Sequence, residues 1–300
     1  MKGVFSPVVT PFRKDLSPDP ERLARHCRWL LSHEVGLAVF GTNSEANSMS
    51  VEEKIGLLDY LIESRIDASR MMPGTGCCAI TDSVALTAAA TRHGCRGVLM
   101  LPPFYYKGVS DEGLFRSYAE VIERVGDGVR IYLYNIPPVS QIPLSVALIA
   151  RLIEKYPTNV VGIKDSSGDW NNTKAYLDNF ASSGFEVFPG AETFLLQGLR
   201  NGGYGCISAT ANVNPGPIAQ LCSTWESPSA EHDQATLDIV RKIFASYPMI
   251  PALKAAVAHY GDDPEWTTVR PPLVELSHAQ QKSLIAELDS AGFSMPGLNT

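Results

Sequence analysis

"VRIYLYNIPPVSQIPLSVALIARLIEKYPTNVVGIKD", residues 129–165, decides the fold. Two short apolar runs, 129–137 and 160–165, flank a segment with apolar residues at helical spacing over 144–156. A strand, an amphipathic helix and a second strand make a βαβ unit, whose two strands lie parallel. The same alternation runs outward in both directions. Upstream lie "GVFSPVV" ending near Val9, "VGLAVFG" at 35–41, the weaker "RMMPGTG" at 70–76 and "RGVLMLPP" at 96–103. Downstream lie "EVFPGAE" at 186–192 and "YGCISATAN" at 204–212, which brings the candidate strands to eight.

Helical patterns separate them. Residues 20–33 place Leu23, Cys27, Leu30 and Leu31 on one face. Ser50 and Glu53 have the spacing of a capping box for a helix over 50–64. Ser110 opens a helix carrying Leu114, Tyr118 and Val121. Eight βα units in this length predict a closed (β/α)8 TIM barrel, for which roughly 250 residues is typical. The alternative, an open doubly wound sheet, usually shows a Gly-rich phosphate loop after its first strand. Here that strand runs into "TPFRKD" instead. Beyond residue 225 the pattern is helical only, so 1–225 is expected to form the barrel that carries the active site. Residues 226–300 are expected to be a helical extension packed on it.

Composition narrows the function. The chain has 300 residues, 45% of them hydrophobic, and a net charge of −7. No basic tract with interleaved aromatics points to nucleic acid. No apolar run reaches the roughly 20 residues of a membrane span, and the N-terminal stretch lacks a signal-peptide core. Six scattered cysteines with no C-x-x-C spacing read as reduced thiols, so a cytoplasmic location is expected. The vicinal Cys77 and Cys78 read as structural.

In a (β/α)8 barrel the C-terminal strand ends build the site. Reading those ends gives Thr10, then Gly41 to Glu45, Tyr105 and Tyr106, Tyr134 and Asn135, Lys164 and Asp165, Gly190 and Glu192, and Ile207, Ser208 and Thr210. No metal-ligand spacing occurs among them, and all six histidines fall in predicted helices or the extension. Lys164 is the notable member. A lysine in an apolar mouth can attack a carbonyl and form a Schiff base, whose iminium is an electron sink. Tyr134 precedes it by about one βα unit and would end the adjacent strand. The plain alternatives are that Lys164 emerges into solvent or pairs with Asp165, and that Tyr134 is a core tyrosine. Glu45 is a candidate general base or a cap for the following helix.

The motifs "GTNSE" (41–45), "PPFYYKG", "YNIP" (134–137), "GIKDSSGD" and "GAETFLLQGLRNGGYGCISATANVNP" together resemble the N-acetylneuraminate lyase / dihydrodipicolinate synthase family of class I pyruvate aldolases. The likeness covers essentially the whole chain. It implies a (β/α)8 barrel with a C-terminal helical extension, in a homotetramer built as a dimer of dimers. It also implies that pyruvate, or a substrate containing it, forms a Schiff base with Lys164, while Tyr134 relays protons. Thr42 and Asn43 would hold the pyruvyl carboxylate. Tyr106, chosen over Tyr105, would cross the dimer interface, and main-chain groups near Gly190 and Ile207 would line the pocket.

Departures from the family pattern bear on the substrate. The common Gly-Thr-Thr-Gly-Glu reads here with Asn43 and Ser44, and an asparagine there resembles the 4-hydroxy-2-oxoglutarate aldolase branch. Dihydrodipicolinate synthases carry an arginine where this chain has Val139, and an isopropyl group does not replace a bidentate carboxylate clamp. Glu192 is a candidate for holding a hydroxylated substrate or for capping the next helix. The expectation is a pyruvate-dependent aldolase or lyase for a 4-hydroxy-2-oxoglutarate-like or sugar-acid substrate. It needs no metal or organic cofactor, since the lysine is the electron sink. The alternatives are 4-hydroxy-tetrahydrodipicolinate synthase, a decarboxylating or dehydrating Schiff-base enzyme on sugar acids, and a non-catalytic 2-oxo-acid binder.

Overall fold

The computed structural model describes residues 3–298. Seven strands run parallel: β1 (Gly3–Ser6), β2 (Gly36–Leu37), β3 (Val98–Met100), β4 (Ile131–Asn135), β5 (Val160–Asp165), β6 (Glu186–Pro189) and β7 (Gly205–Ile207). They form two ladders, in the orders β2-β1-β7 and β3-β4-β5-β6. Residues 71–75 join the two. Met72 N and Gly74 N donate to the carbonyls of Leu37 and Val39, both at 2.7 Å, and Leu99 N donates to Pro73 O at 2.8 Å. Pro73 has no N–H to give, so the expected strand over 70–76 is reduced to isolated bridges at Met71 and Gly74. On the other seam Tyr204 N donates to Val187 O at 2.9 Å. The result is the expected (β/α)8 barrel with most strands shorter than their apolar runs.

Helices alternate with the strands. They are α1 (Pro20–Ser32), α2 (Val51–Glu63), α3 (Ile80–Arg92), α4 (Asp111–Val125), a one-turn α5 (Pro137–Ser140), α6 (Val146–Lys155), α7 (Trp170–Phe180), α8 (Leu195–Arg200) and α9 (Pro215–Ser223). The extension follows as α10 (Ala230–Ala245), α11 (Met249–Tyr260) and α12 (His278–Ser290). Caps set the boundaries. Ser50 and Glu53 form the expected capping box, and Ser110 accepts from Gly113 N. Ser145 accepts from Leu148 N, so α6 begins at Val146 rather than at 144. One buried apolar cluster joins Val8, Val9 and Phe12 of the barrel to Phe244, Leu253 and Leu284 of the extension. No helix among the described residues is long and apolar enough to cross a membrane, and no disulfide links any of the six cysteines.

The period-two alternation of strands explains which side chains fill the barrel. Phe5, Ala38, Met72, Leu99, Tyr132, Tyr134, Phe188 and Ile207 form the interior cluster, one or two from each staggered strand. Leu133 and Ile163 point the other way, into the layer under the helices. On β5, Gly162 lies opposite Tyr132 and Lys164 opposite Tyr134. A Cβ on Gly162 would meet the Tyr132 ring at 2.6 Å and Glu186 O at 2.5 Å. The glycine in "VVGIK" thus makes room for a tyrosine ring, and it fixes the face from which Lys164 enters the barrel.

Candidate active site

Lys164 ends β5 inside the barrel mouth and is 3% exposed. Its Nζ sits 4.3 Å from the centroid of the Tyr134 ring. It has no carboxylate partner among the described residues. Asp165, the partner that a plain reading supplies, faces outward. Its carboxylate accepts from Asn135 Nδ2 at 2.9 Å, Ser167 Oγ at 2.9 Å and Thr173 Oγ1 at 2.6 Å. Strand alternation therefore separates the two neighbours onto opposite faces, and Lys164 neither emerges into solvent nor pairs with Asp165.

Tyr134 is equally enclosed, and its hydroxyl lies 3.2 Å from Thr42 Oγ1. Burial by itself pushes the phenol up. The positive charge of Lys164 and hydrogen bonds from Thr42, Lys164 and Ser166 outweigh it and hold Tyr134 below the ordinary value of 10. A buried tyrosine with a cation against its ring and a hydroxyl on its oxygen is poised for proton exchange.

Thr42 is presented by a single 3₁₀ turn over Thr42–Ser44. Ser44, where the family pattern has glycine, pins this turn from within. Its Oγ accepts from Gly41 N at 3.1 Å, and its carbonyl accepts from Thr10 Oγ1 at 2.8 Å. Asn43 stands beside Thr42, half-buried, with no side-chain hydrogen bond among the described residues. On the opposite wall, a Cβ on Gly190 would meet Ser166 Oγ at 2.1 Å, so only glycine permits that approach. Ile207 closes the floor as part of the interior cluster.

Not every candidate joins this group. Tyr105 and Tyr106 form a T-shaped pair with both rings exposed, Tyr106 at 74%. Val139 on α5 is also exposed, at 62%. Glu192 is buried, but its carboxylate is held by Ser208 and Thr210 and faces Arg241 Nη1 at 3.8 Å. Glu45 is not a base open to the mouth, and although it stands at the N-cap of the 3₁₀ turn Ala46–Ser48 its side chain makes no capping bond. It is buried against Lys254, and it accepts from Arg270 N at 2.8 Å. Ser166 was missed by sequence reasoning, because "DSSGD" reads as a turn. Its position two residues past a strand-end lysine was the available signal.

The comparisons bear on this arrangement. A family model described as the dihydrodipicolinate synthetase family matches residues 1–291. An uncharacterized DapA-like lyase of Chloroflexus aurantiacus is 33% identical, over 95% of each chain. Dihydrodipicolinate synthase from Agrobacterium tumefaciens superposes with a TM-score of 0.89 at 32% identity, covering 97% of this chain and 99% of that one. YagE, a prophage protein of E. coli K12 solved in complex with pyruvate, gives the same TM-score at 25% identity, covering 98% and 99%.

Proposed function

The chain belongs to the dihydrodipicolinate synthetase family, and on that premise we propose that it is a pyruvate-dependent Schiff-base aldolase or lyase acting on a 2-oxo acid. The observation that carries the reading is Lys164, buried without a carboxylate and lying over the ring of Tyr134. Once its ammonium has given up a proton, the Lys164 amine attacks the 2-oxo carbon, water leaves, and an iminium forms. The iminium accepts the electron pair released when the C3–C4 bond breaks, and in the reverse direction supplies the pair that makes the bond. Tyr134 delivers and removes the protons of these steps, with Thr42 orienting its hydroxyl. Thr42 and Asn43 hold the carboxylate. Support for pyruvate comes from YagE, whose structure contains it.

The substrate beyond pyruvate follows from Val139. An exposed valine on α5 offers no charge to a second carboxylate, which favours a hydroxylated 2-oxo acid over aspartate semialdehyde. Glu192, Ser208 and Thr210 form the polar cluster closest in character to a hydroxyl-binding group. Tyr106, exposed in the single chain, would complete the mouth of a neighbouring subunit in a dimer of dimers. Cysteines without disulfides accord with a cytoplasmic setting.

The test is a screen of 4-hydroxy-2-oxo acids and sugar acids for pyruvate release, with Lys164→Ala as control. Release that depends on Lys164 supports the reading. Turnover of aspartate semialdehyde with pyruvate, faster than any cleavage, would instead identify a 4-hydroxy-tetrahydrodipicolinate synthase. Pyruvate binding with no turnover of any substrate would identify a binder.

A further inference from the structure

We propose that Asn135 and Asp165 are a positioning pair: their side-chain bond, on the outer face of the barrel wall, sets Lys164 against Tyr134 on the inner face. The inference rests on the Schiff-base reading of Lys164, and adds to it what holds the nucleophile and the proton relay in register.

The pair is the last rung of a ladder. β4 ends at Asn135 and β5 at Asp165, and the two lie opposite each other, one rung past Tyr134 and Lys164. Strand alternation turns this last rung away from the mouth. The chain leaves β4 for α5 at Pro137. The free end of a ladder is its least protected part, and Tyr134 and Lys164 stand one residue from it.

A side-chain bond closes this end. Asn135 Nδ2 donates to Asp165 Oδ1 at 2.9 Å, and both residues are buried. Each is also held from behind. Asn135 Oδ1 accepts from Leu144 N at 3.0 Å, just ahead of α6. Asp165 Oδ1 accepts a second bond from Ser167 N at 3.1 Å. Asp165 Oδ2 accepts from Ser167 Oγ at 2.9 Å and from Thr173 Oγ1, on α7, at 2.6 Å. No basic group pairs with Asp165 among the described residues. A buried carboxylate carries a desolvation cost that an apolar side chain in its place would not. What it adds is direction. Hydrogen bonds fix a distance and an angle where apolar contact does not, and a fully satisfied buried network holds one arrangement.

The same two residues reach the inner wall through their main chains. Asn135 O accepts from Ser166 N at 2.7 Å, and Asp165 O accepts from Gly190 N at 2.6 Å. Ser166 is one of the partners of the Tyr134 hydroxyl, and it packs against Gly190. The outer clamp, the relay and the opposite wall thus share one set of bonds.

The test uses the full-length chain and pyruvate alone. Proton NMR in heavy water follows deuterium exchange into the pyruvate methyl group, which needs Lys164 and Tyr134 together. Borohydride trapping, taken to completion, counts the chains whose Lys164 forms an iminium. A merely structural loss lowers both in proportion, so the exchange rate per trapped adduct reports positioning. Asp165→Asn sets two amides face to face, and Asn135→Asp sets two carboxylates together; each should lower this ratio roughly tenfold or more. The swapped variant Asn135→Asp/Asp165→Asn again faces a donor with an acceptor and leaves only Ser167 N without its bond. It should return the ratio to within about threefold of wild type. Thr173→Val withdraws one donor from Asp165 and should lower the ratio about threefold. A ratio unchanged in Asp165→Asn, or a folded swapped variant no better than the single ones, overturns the proposal and leaves the Schiff-base reading standing. A wild type that neither exchanges nor traps pyruvate removes that reading and the proposal with it. Should the single variants at Asn135 and Asp165 not fold, Thr173→Val decides, and an unchanged ratio there overturns the proposal.

Discussion

Among the described residues two lysines are buried over aromatic rings, and they face different things. Lys164 at the barrel mouth lies 4.3 Å from the centroid of Tyr134 and meets a phenol and hydroxyls. Lys254 on α11 is 0% exposed and lies 4.5 Å from the centroid of Phe12. It is ion-paired with Glu45 and donates to Thr268 O at 2.7 Å. Burial pulls its pKa down to about 8, against the opposing pull of Glu45. A buried ammonium needs a partner. Of these two, Lys254 is given a carboxylate and is structural, while Lys164 is given none. The structural pair also serves the chemical one. Glu45 follows directly after the turn that presents Thr42 and Asn43, so Lys254 bolts the extension to that turn.

The sharpest way to break this contrast is to exchange the consequences. Lys164→Ala should lower pyruvate-forming turnover by on the order of 10⁴-fold or more, while calorimetry finds the melting temperature unchanged or raised. Lys254→Met should do the reverse. It leaves Glu45 buried and unpaired, which costs about 3–5 kcal/mol of stability. Adding Glu45→Gln should restore much of that loss in denaturant titrations. If Lys254→Met melts like the wild type, the pair is not the bolt described here.

Smaller effects sharpen the mouth itself. Tyr134→Phe should reduce kcat about 100- to 1000-fold, and the variant should still trap pyruvate on Lys164, slowly. A Tyr134→Phe enzyme with full turnover would remove the proton relay from the account. The smallest effect is a titration. Tyr134 is held below 10 because Lys164 and the hydroxyl partners outweigh burial. Lys164→Met removes the charge and one of the hydrogen bonds that oppose burial, so the phenol moves upward. Difference absorbance should then show tyrosine ionisation shifted to higher pH in the variant, and superimposable curves would contradict this.

The contrast was only half legible in the sequence. Lys164 and Tyr134 could be placed on neighbouring strand ends because the 129–165 unit announces its own periodicity. The outward turn of Asp165 follows from the same alternation. The 70–76 strand was visible as an apolar run, but Pro73 reduces it to bridges, and only the flanking strands show that it still closes the barrel. Glu45 was misjudged because its partner lies 209 residues away. Lys254 announced itself only as one charge in the otherwise apolar "IPALKAAVA". The Ser208 and Thr210 bonds to Glu192 join the segments that follow β6 and β7, a contact between elements that no local pattern encodes.

The central claim is that Lys164, and not the equally buried Lys254, is the nucleophile. Borohydride reduction in the presence of pyruvate, followed by intact-mass measurement and peptide mapping, tests it most directly. The account predicts a single lactyl adduct per chain, on Lys164, and none in Lys164→Ala. No adduct in the wild type, or an adduct on Lys254, would contradict it.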